Sequence, residues 1–500
     1  MEVAVPRPVR GTFTYLLPER MDGGVLPGCR VAVEFGGSRV VGVVWGEDGR
    51  PPEKPLKPVL ERIDPRPLLP AWVLHLIRWM ADYYRAPQGL CAGCGFPPGM
   101  QGAAERMLEV GEGAELLRVC GKPGVFTRDS LEASAPRGFP FEQALIRDSA
   151  RGLVVQFHRP VRMSRPRMET MVEAAVPPDR LVEAAQAIRS RAPKQAEVLV
   201  RMASSGEPVP KTTLLGAWGI SRSTLGRLVL NGLLAERRVE VPRDPLMGLP
   251  VEPHPAPEPT AAQKAAVDSI LSAGKGVFLL HGITGSGKTE VYLRVIGDVL
   301  KAGRQALVLV PEISLTPQLV SRFSSRFPGR VAVLHSGLSR GERLDTWNLV
   351  RRGGRSIVIG ARSALFAPLA DPGVVVVDEE HDGSYKQGEL PCYNARDMAV
   401  LLGSFLKIPV LLGSATPSLE SWRNAAAGKY TLLSLPDRVA GGTLPGIRIL
   451  DTRGADNRLV SDTMLSALGK HTSRGRQAIL LVNRRGHSPI QMCFYCGHTE

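Results

Sequence analysis

Residues 282–289 read GITGSGKT, a G-x-x-x-x-G-K-T run lying between an apolar stretch at 277–280 and an amphipathic helical pattern. In that strand, turn, helix setting the glycines, Gly282, Gly285 and Gly287 among them, let backbone N–H groups close around a polyphosphate. Lys288 then neutralises phosphate charge, and Thr289 offers its hydroxyl to Mg2+. A second cluster, VVVVDEEH at 374–381, drives an apolar strand straight into carboxylates and an imidazole. At the carboxyl end of a parallel strand Asp378 would hold hydrated Mg2+, and Glu379 would orient and deprotonate an attacking water. A third run, GSATP at 413–417, sets Ser414 and Thr416 at another strand end, where small hydroxyls relay the presence of the terminal phosphate. The chemistry these three imply is hydrolysis of ATP with Mg2+.

Such residues need a rigid sheet edge. From Thr260 onward, apolar strands at 277–280, 306–310, 331–334, 357–359, 374–377 and 410–412 alternate with amphipathic helices. Near-continuous Val, Ile and Leu strands imply a buried parallel sheet, hence an α/β domain with helices on both faces. Pro242, Pro245, Pro250, Pro253, Pro255, Pro257 and Pro259 crowd a semi-rigid linker at 241–259. Upstream, 183–240 predicts short helices and then a β-pair. An N-cap Ser221 opens an amphipathic run that breaks at Asn231-Gly232 and resumes as an alternating strand, which is winged-helix grammar. Such a helix either enters a DNA groove or serves as a spacer.

Residues 1 to about 60 alternate short β-rich runs with Pro and Gly turns. Trp72, Leu76, Trp79, Met80 and Tyr83 fall at helical spacing, a stripe expected to be core. No motif organises 101–182. The expected division is 1–100 β-rich, 101–182 connecting, 183–240 winged helix, 241–259 linker, 260–440 nucleotide-binding lobe and 441–500 the start of a second lobe.

The 500 residues carry 63 Lys and Arg against 48 Asp and Glu, a net charge of +15, which favours a polyanionic partner. Seven cysteines, odd in number and mostly scattered, argue against a secreted disulfide scaffold. No apolar run reaches a membrane-spanning length of about 18 residues, and the amino terminus lacks a leader's apolar core. A cytoplasmic protein is expected, with no membrane partner.

The order GxxxxGKT, DEEH, SAT resembles motifs I, II and III of superfamily 2 helicases, with a RecA-like lobe. PEISLTPQ (311–318), HSGL (335–338), GARSALF (360–366), HDGSYKQ (381–387), NARD (394–397) and NRRG (483–486) narrow the resemblance to the PriA family of primosomal replication-restart DNA helicases. The resemblance implies an ATP-dependent 3′ to 5′ DNA helicase that recognises stalled or repaired forks. Its implied partners are replication forks, single-stranded DNA, other primosome proteins, a replicative helicase loader and single-stranded DNA-binding protein. Rivals are a non-enzymatic fork-binding scaffold, against which intact Lys288, Asp378 and Glu379 argue, and an RNA helicase.

The same resemblance implies that TFTYLLP (12–18) and VEFG (33–36) belong to a domain capturing a 3′ DNA end. Phe13, Gly36 and Lys57 would line its pocket, with Thr14 where the family usually has an acid. Gln263 resembles an adenine-reading glutamine, and His381 joins Ser414 and Thr416 as a coupling residue. Arg362, Tyr385, Lys386, Tyr393 and Arg396 would face DNA, the last four in or beside a loop that resembles the family's aromatic-rich loop. That loop here reads Leu390-Pro391 where the family has Trp. Cys493 and Cys496 have zinc-knuckle spacing, but a structural Zn2+ takes four ligands. The resemblance places the remaining ligands in an insertion past Glu500, so a truncated chain is expected. Cys91 and Cys94, in an apolar Gly-rich segment, are expected to pack.

Overall fold

The computed structural model describes residues 1–21, 25–47, 55–136, 138–160, 167–246, 256–439, 446–450 and 460–481. Residues 1–441 form one compact unit and 442–500 a second. In the second unit the described element is the helix Asp462–Thr472, capped by the Ser461 side chain.

The nucleotide-binding lobe is built on a seven-stranded parallel sheet. Its order is Val331–Leu334, Ile357–Gly360, Gln305–Leu309, Pro372–Asp378, Pro409–Ser414, Gly276–Gly282, Thr431–Leu435. The six strands expected from sequence are present. Val374, Val375, Val376 and Val377 are each fully buried, as a strand covered on both faces requires. The seventh strand, Thr431–Leu435, was not expected; it lies at the edge, mostly exposed, and carries no continuous apolar signal. The order brings three carboxyl ends side by side: Gly282 before the P-loop, Asp378, and Ser414 between them.

The amino-terminal module is antiparallel, as expected. Strands Arg30–Phe35 and Ser38–Gly46 form a hairpin whose turn is Gly36-Gly37, both at positive φ (55° and 75°). Two left-handed residues in a two-residue hairpin loop demand glycine, so the turn itself accounts for Gly36. Arg30 is buried with Asp64 and bonded to it through Nε and Nη2 at 2.8 and 2.7 Å.

The helix Ala71–Tyr83 joins this module to the lobe. Leu76, Ile77 and Met80 share one apolar core with Leu365, Met398, Leu402 and Val410 of the lobe. Trp72 Nε1 donates to the Leu369 carbonyl at 2.8 Å, and the Asn394 N–H donates to the Tyr84 hydroxyl at 3.1 Å. The expected core stripe holds for Leu76 and Met80; Trp72 and Trp79 are half-buried, and Tyr83, stacked on Trp79, is 65% exposed. Burial pushes the thiols of Cys91 and Cys94 up to about 12, which suits packed cysteines.

Residues 101–160 extend the amino-terminal sheet, Gly102 and Ala103 pairing with Val41 and Val40, and add a core of their own. Strand Gly102–Val110 pairs with Gly124–Thr127 and Val154–Pro160, over a core of Leu108, Leu116, Leu131, Phe141 and Leu145. The next module begins earlier than the expected 183. Strand Met168–Ala174 pairs residue for residue with Leu234–Glu240, so its sheet is incomplete without residues 168–174. Helices Pro178–Ile188, Pro193–Ser205, Lys211–Leu215 and Arg222–Leu230 pack on that sheet through Leu181, Leu199, Met202, Leu214, Leu225 and Leu228.

The start of the expected linker is docked on the lobe. Arg243 donates to Asp345 from both its backbone N–H (2.9 Å) and Nη1 (3.0 Å), and Arg355 pairs with Asp244 at 2.6 Å. Two ion pairs thus hold this part of the linker against the lobe.

Candidate active site

Around the P-loop the backbone is shaped for a polyphosphate. Gly285 and Gly287 sit at φ 85° and 82°, a left-handed conformation that favours glycine. A Cβ on Gly287 would lie 2.3 Å from Gln263 Nε2, and one on Gly282 would lie 2.5 Å from Ser286 Oγ. Among the described residues the buried Ser286 hydroxyl has no hydrogen-bond partner. A glycine cradle closed to side chains and holding an unpaired hydroxyl fits phosphate oxygens. Lys288 is buried, its ammonium donating to the Gly282 carbonyl at 2.9 Å, within the loop a phosphate would occupy.

Gln263 is the N3 residue of the helix Ala261–Ala273, whose capping box is complete: Thr260 Oγ1 accepts from the Gln263 N–H and Gln263 Oε1 from the Thr260 N–H. Its Nε2 donates to the Ser286 carbonyl at 2.9 Å. The glutamine expected to read adenine braces the P-loop from a buried position.

Asp378 ends its strand beneath this loop. Burial, and next the neighbouring Glu379, raise its carboxyl above the ordinary aspartate value, while a Tyr292 hydrogen bond and Lys288 oppose the rise. A nearby divalent cation would reverse the balance toward the carboxylate. Glu379 adopts φ 46°, rare for a residue with a side chain and frequent where strain serves a site. Its carboxylate lies 3.7 Å from His381 Nδ1, and that nitrogen lies 2.7 Å from Ser414 Oγ. Thr416 completes the set: its N–H donates to Ser414 Oγ at 3.0 Å, and its hydroxyl lies 3.5 Å from His381 Nε2. The coupling trio expected from sequence is contiguous.

A cavity of about 570 Å3 joins these groups, lined by Gln263, Gly285, Gly287, Lys288, Thr289, Asp378 and Glu379. Arg322 and Arg326 also line it. Neither was anticipated, although an Arg pair at i, i+4 after the 311–318 motif was a usable signal. Arg326 is paired with Glu290 at 3.0 Å, and Arg322 is exposed.

Three of the residues expected to face DNA do not. Tyr385 is 2% exposed, and its hydroxyl donates to the carbonyls of Leu309 (3.0 Å) and Asp378 (2.5 Å), so it braces the active-site strand instead of stacking on a base. Tyr393 is 5% exposed, edge-on to Phe366, with no face open to a base. Arg396 is committed to Glu380, Asp397 and Ser418. Lys386 is exposed, as a phosphate contact needs, and Arg362 Nη1 donates to the Ser384 and Lys386 carbonyls, holding that loop.

In the amino-terminal module, Phe13 packs edge-on against Phe35, ring centroids 4.6 Å apart, beside the Gly36 turn. Lys57 pairs with Glu34 at 2.5 Å, and the ammonium holds the Glu34 carboxyl below its usual value. Glu34, one residue before Phe35 on the strand, is the acid that meets Lys57, a partner the sequence did not announce. Cys493, Cys496 and the 483–486 motif lie outside the described residues. Among the described residues no group of three or more His, Cys, Asp or Glu side chains is set to hold a metal, and no helix is long and apolar enough to cross a membrane.

Residues 2–97 match the family model of the PriA 3′ DNA-binding domain, and residues 260–425 match the DEAD/DEAH box helicase model. Replication restart protein PriA of Bacillus subtilis is 35% identical over 97% of this chain and 62% of its own length. The Synechocystis protein of that name is 36% identical over 98% and 61%, and the Haemophilus influenzae one 46% identical over 46% and 31%. The chain therefore spans about 60% of the length of the first two. With a 3′ DNA-binding module and a helicase lobe in the same order, and identity running through nearly the whole chain, it belongs to the PriA family.

Proposed function

We propose that this chain carries the ATPase and DNA-end-recognition parts of a 3′ to 5′ DNA helicase that acts at stalled or repaired replication forks and initiates restart. The observation that carries the reading is convergence: the P-loop, Asp378 and Glu379 line one cavity from the carboxyl ends of two strands of one parallel sheet. In this reading ATP is the substrate, bound by the P-loop backbone with Lys288 leaving the Gly282 carbonyl for phosphate oxygens. Thr289 and Asp378 would hold Mg2+, which supplies charge neutralisation at the β- and γ-phosphates. Glu379 accepts the proton of the attacking water at its carboxylate. His381, Ser414 and Thr416 register whether the terminal phosphate is present.

DNA contact is assigned to Lys386, Arg362 and the Phe13, Gly36 and Lys57 corner, and replication forks and single-stranded DNA are the proposed partners. The winged helix is proposed as a further DNA or protein contact, and the primosome proteins, helicase loader and single-stranded DNA-binding protein as assembly partners. Zn2+ is proposed at Cys493 and Cys496. The scaffold alternative has no use for this cavity or for the left-handed Glu379.

The test is Mg-ATP hydrolysis by the full-length protein with and without forked DNA, against Lys288→Ala. The expected result is DNA-stimulated turnover abolished by the substitution with fork affinity nearly intact, because affinity rests on phosphate contacts elsewhere. Unchanged hydrolysis in Lys288→Ala would refute the assignment.

A further inference from the structure

Glu380 lies between the two carboxylates and the histidine of the active-site run, yet it is 1% exposed and absent from the cavity lining. A carboxylate that deep is costly unless its oxygens are met by donors. Here they are met from two separate segments. Oε1 accepts the Ser418 N–H at 2.7 Å; Oε2 accepts the Ser418 hydroxyl at 3.0 Å, the Ser421 hydroxyl at 2.8 Å and Arg396 Nη1 at 3.2 Å. Arg396 Nη1 also donates to Ser418 Oγ at 2.8 Å, which closes a triangle. The Glu380 backbone N–H donates to the Gly413 carbonyl, one residue before Ser414.

We infer that Glu380 and Arg396 are positioning residues that transmit DNA contact at the 386–394 hairpin to Glu379 and Ser414. The hairpin is held by the pairs Lys386↔Asn394 and Gln387↔Tyr393, and its tip at Gly388, Glu389 and Leu390 is exposed. Asn394 ends it and caps the helix Ala395–Leu406, accepting from the Arg396 and Asp397 N–H groups. A shift of the hairpin therefore moves the first turn of that helix and Arg396 with it. Arg396 pulls on Glu380, whose chain neighbours are Glu379 on one side and His381 on the other. Through Ser418 and Ser421 the same carboxylate fixes the start of helix Leu419–Ala426, directly after Ser414 and Thr416. Both active-site edges thus meet in one buried group.

The relay rests on the reading that DNA stimulates ATP hydrolysis. The test measures ATP turnover of the full-length protein against oligo(dT) concentration for wild type, Glu380→Gln, Arg396→Gln, the double variant and Arg396→Lys. Each glutamine variant is expected to lower DNA-stimulated kcat about tenfold, within the usual span of coupling effects. The ATP KM and the half-saturating DNA concentration should stay within about twofold of wild type, a split that a loss of folding or of DNA affinity would not give. The double variant should be no worse than either single one, because both cut the same connection. Arg396→Lys, which keeps the charge, should recover part of the stimulation. Full stimulation in either glutamine variant, or losses that multiply in the double variant, would overturn the relay. Should Glu380→Gln melt far below wild type, Arg396→Gln alone carries the same prediction. An unstimulated wild type would instead refute the proposed function.

Discussion

The Tyr292 hydroxyl donates a 2.9 Å hydrogen bond to Asp378 Oδ1, and Gly413 is what makes room for it: a Cβ on Gly413 would lie 1.5 Å from that hydroxyl oxygen. Tyr292 belongs to the helix that begins at Lys288, so one phenol fixes the distance between the phosphate-binding loop and the carboxylate proposed to hold Mg2+.

Tyr292→Phe removes the bond and keeps the packing. Because partners of a metal ligand are typically worth 10- to 100-fold in metal affinity, the Mg2+ concentration for half-maximal ATPase should rise about tenfold or more. Gly413→Ala should do worse, displacing the ring and lowering stability as well. A Mg2+ titration of the two variants checks both, and an unchanged midpoint in Tyr292→Phe would make the bond incidental.

Tyr393→Ala should destabilise the lobe by about 3–5 kcal/mol, the usual cost of deleting a large buried aromatic side chain. A base-stacking tyrosine would instead cost DNA affinity, about 1–3 kcal/mol, with little loss of stability. Urea unfolding and oligonucleotide binding, measured on the same variant, separate the two.

At the amino-terminal corner, Phe13→Ala should weaken binding to forks bearing a free 3′ hydroxyl, since stacking on a terminal base is worth about 1–3 kcal/mol. Lys57 is paired with Glu34, so a 3′-phosphate brought to Lys57 must compete with a carboxylate already bound and should bind less well than a hydroxyl. Fluorescence anisotropy on forks with 3′-OH, 3′-phosphate and no leading-strand end decides it. Equal affinity for all three would assign fork choice to another part of the protein.

The parallel sheet was legible because strands such as 374–377 are buried on both faces and must therefore be apolar throughout. Thr431–Leu435 was not, since an exposed edge strand has no such constraint. P-loop, DEEH and SAT positions were legible because phosphate and metal chemistry restricts residue type and local spacing together. Glu380 and Tyr292 were hidden for the opposite reason: their partners lie 16 to 41 and 86 residues away, and sheet order alone brings them together. Tyr385 and Tyr393 misled because an aromatic near a loop reads the same in sequence whether its ring turns outward or into the core.

The central claim is that Glu379, held at an uncommon left-handed backbone angle at the strand end, is the base for ATP hydrolysis. Glu379→Gln in the full-length protein, measured for ATP binding and for steady-state hydrolysis with saturating DNA, tests it most directly. ATP affinity should be unchanged and turnover at least about 100-fold lower, in line with loss of a general base. Normal turnover in Glu379→Gln would contradict the account and make this carboxylate a bystander beside Asp378.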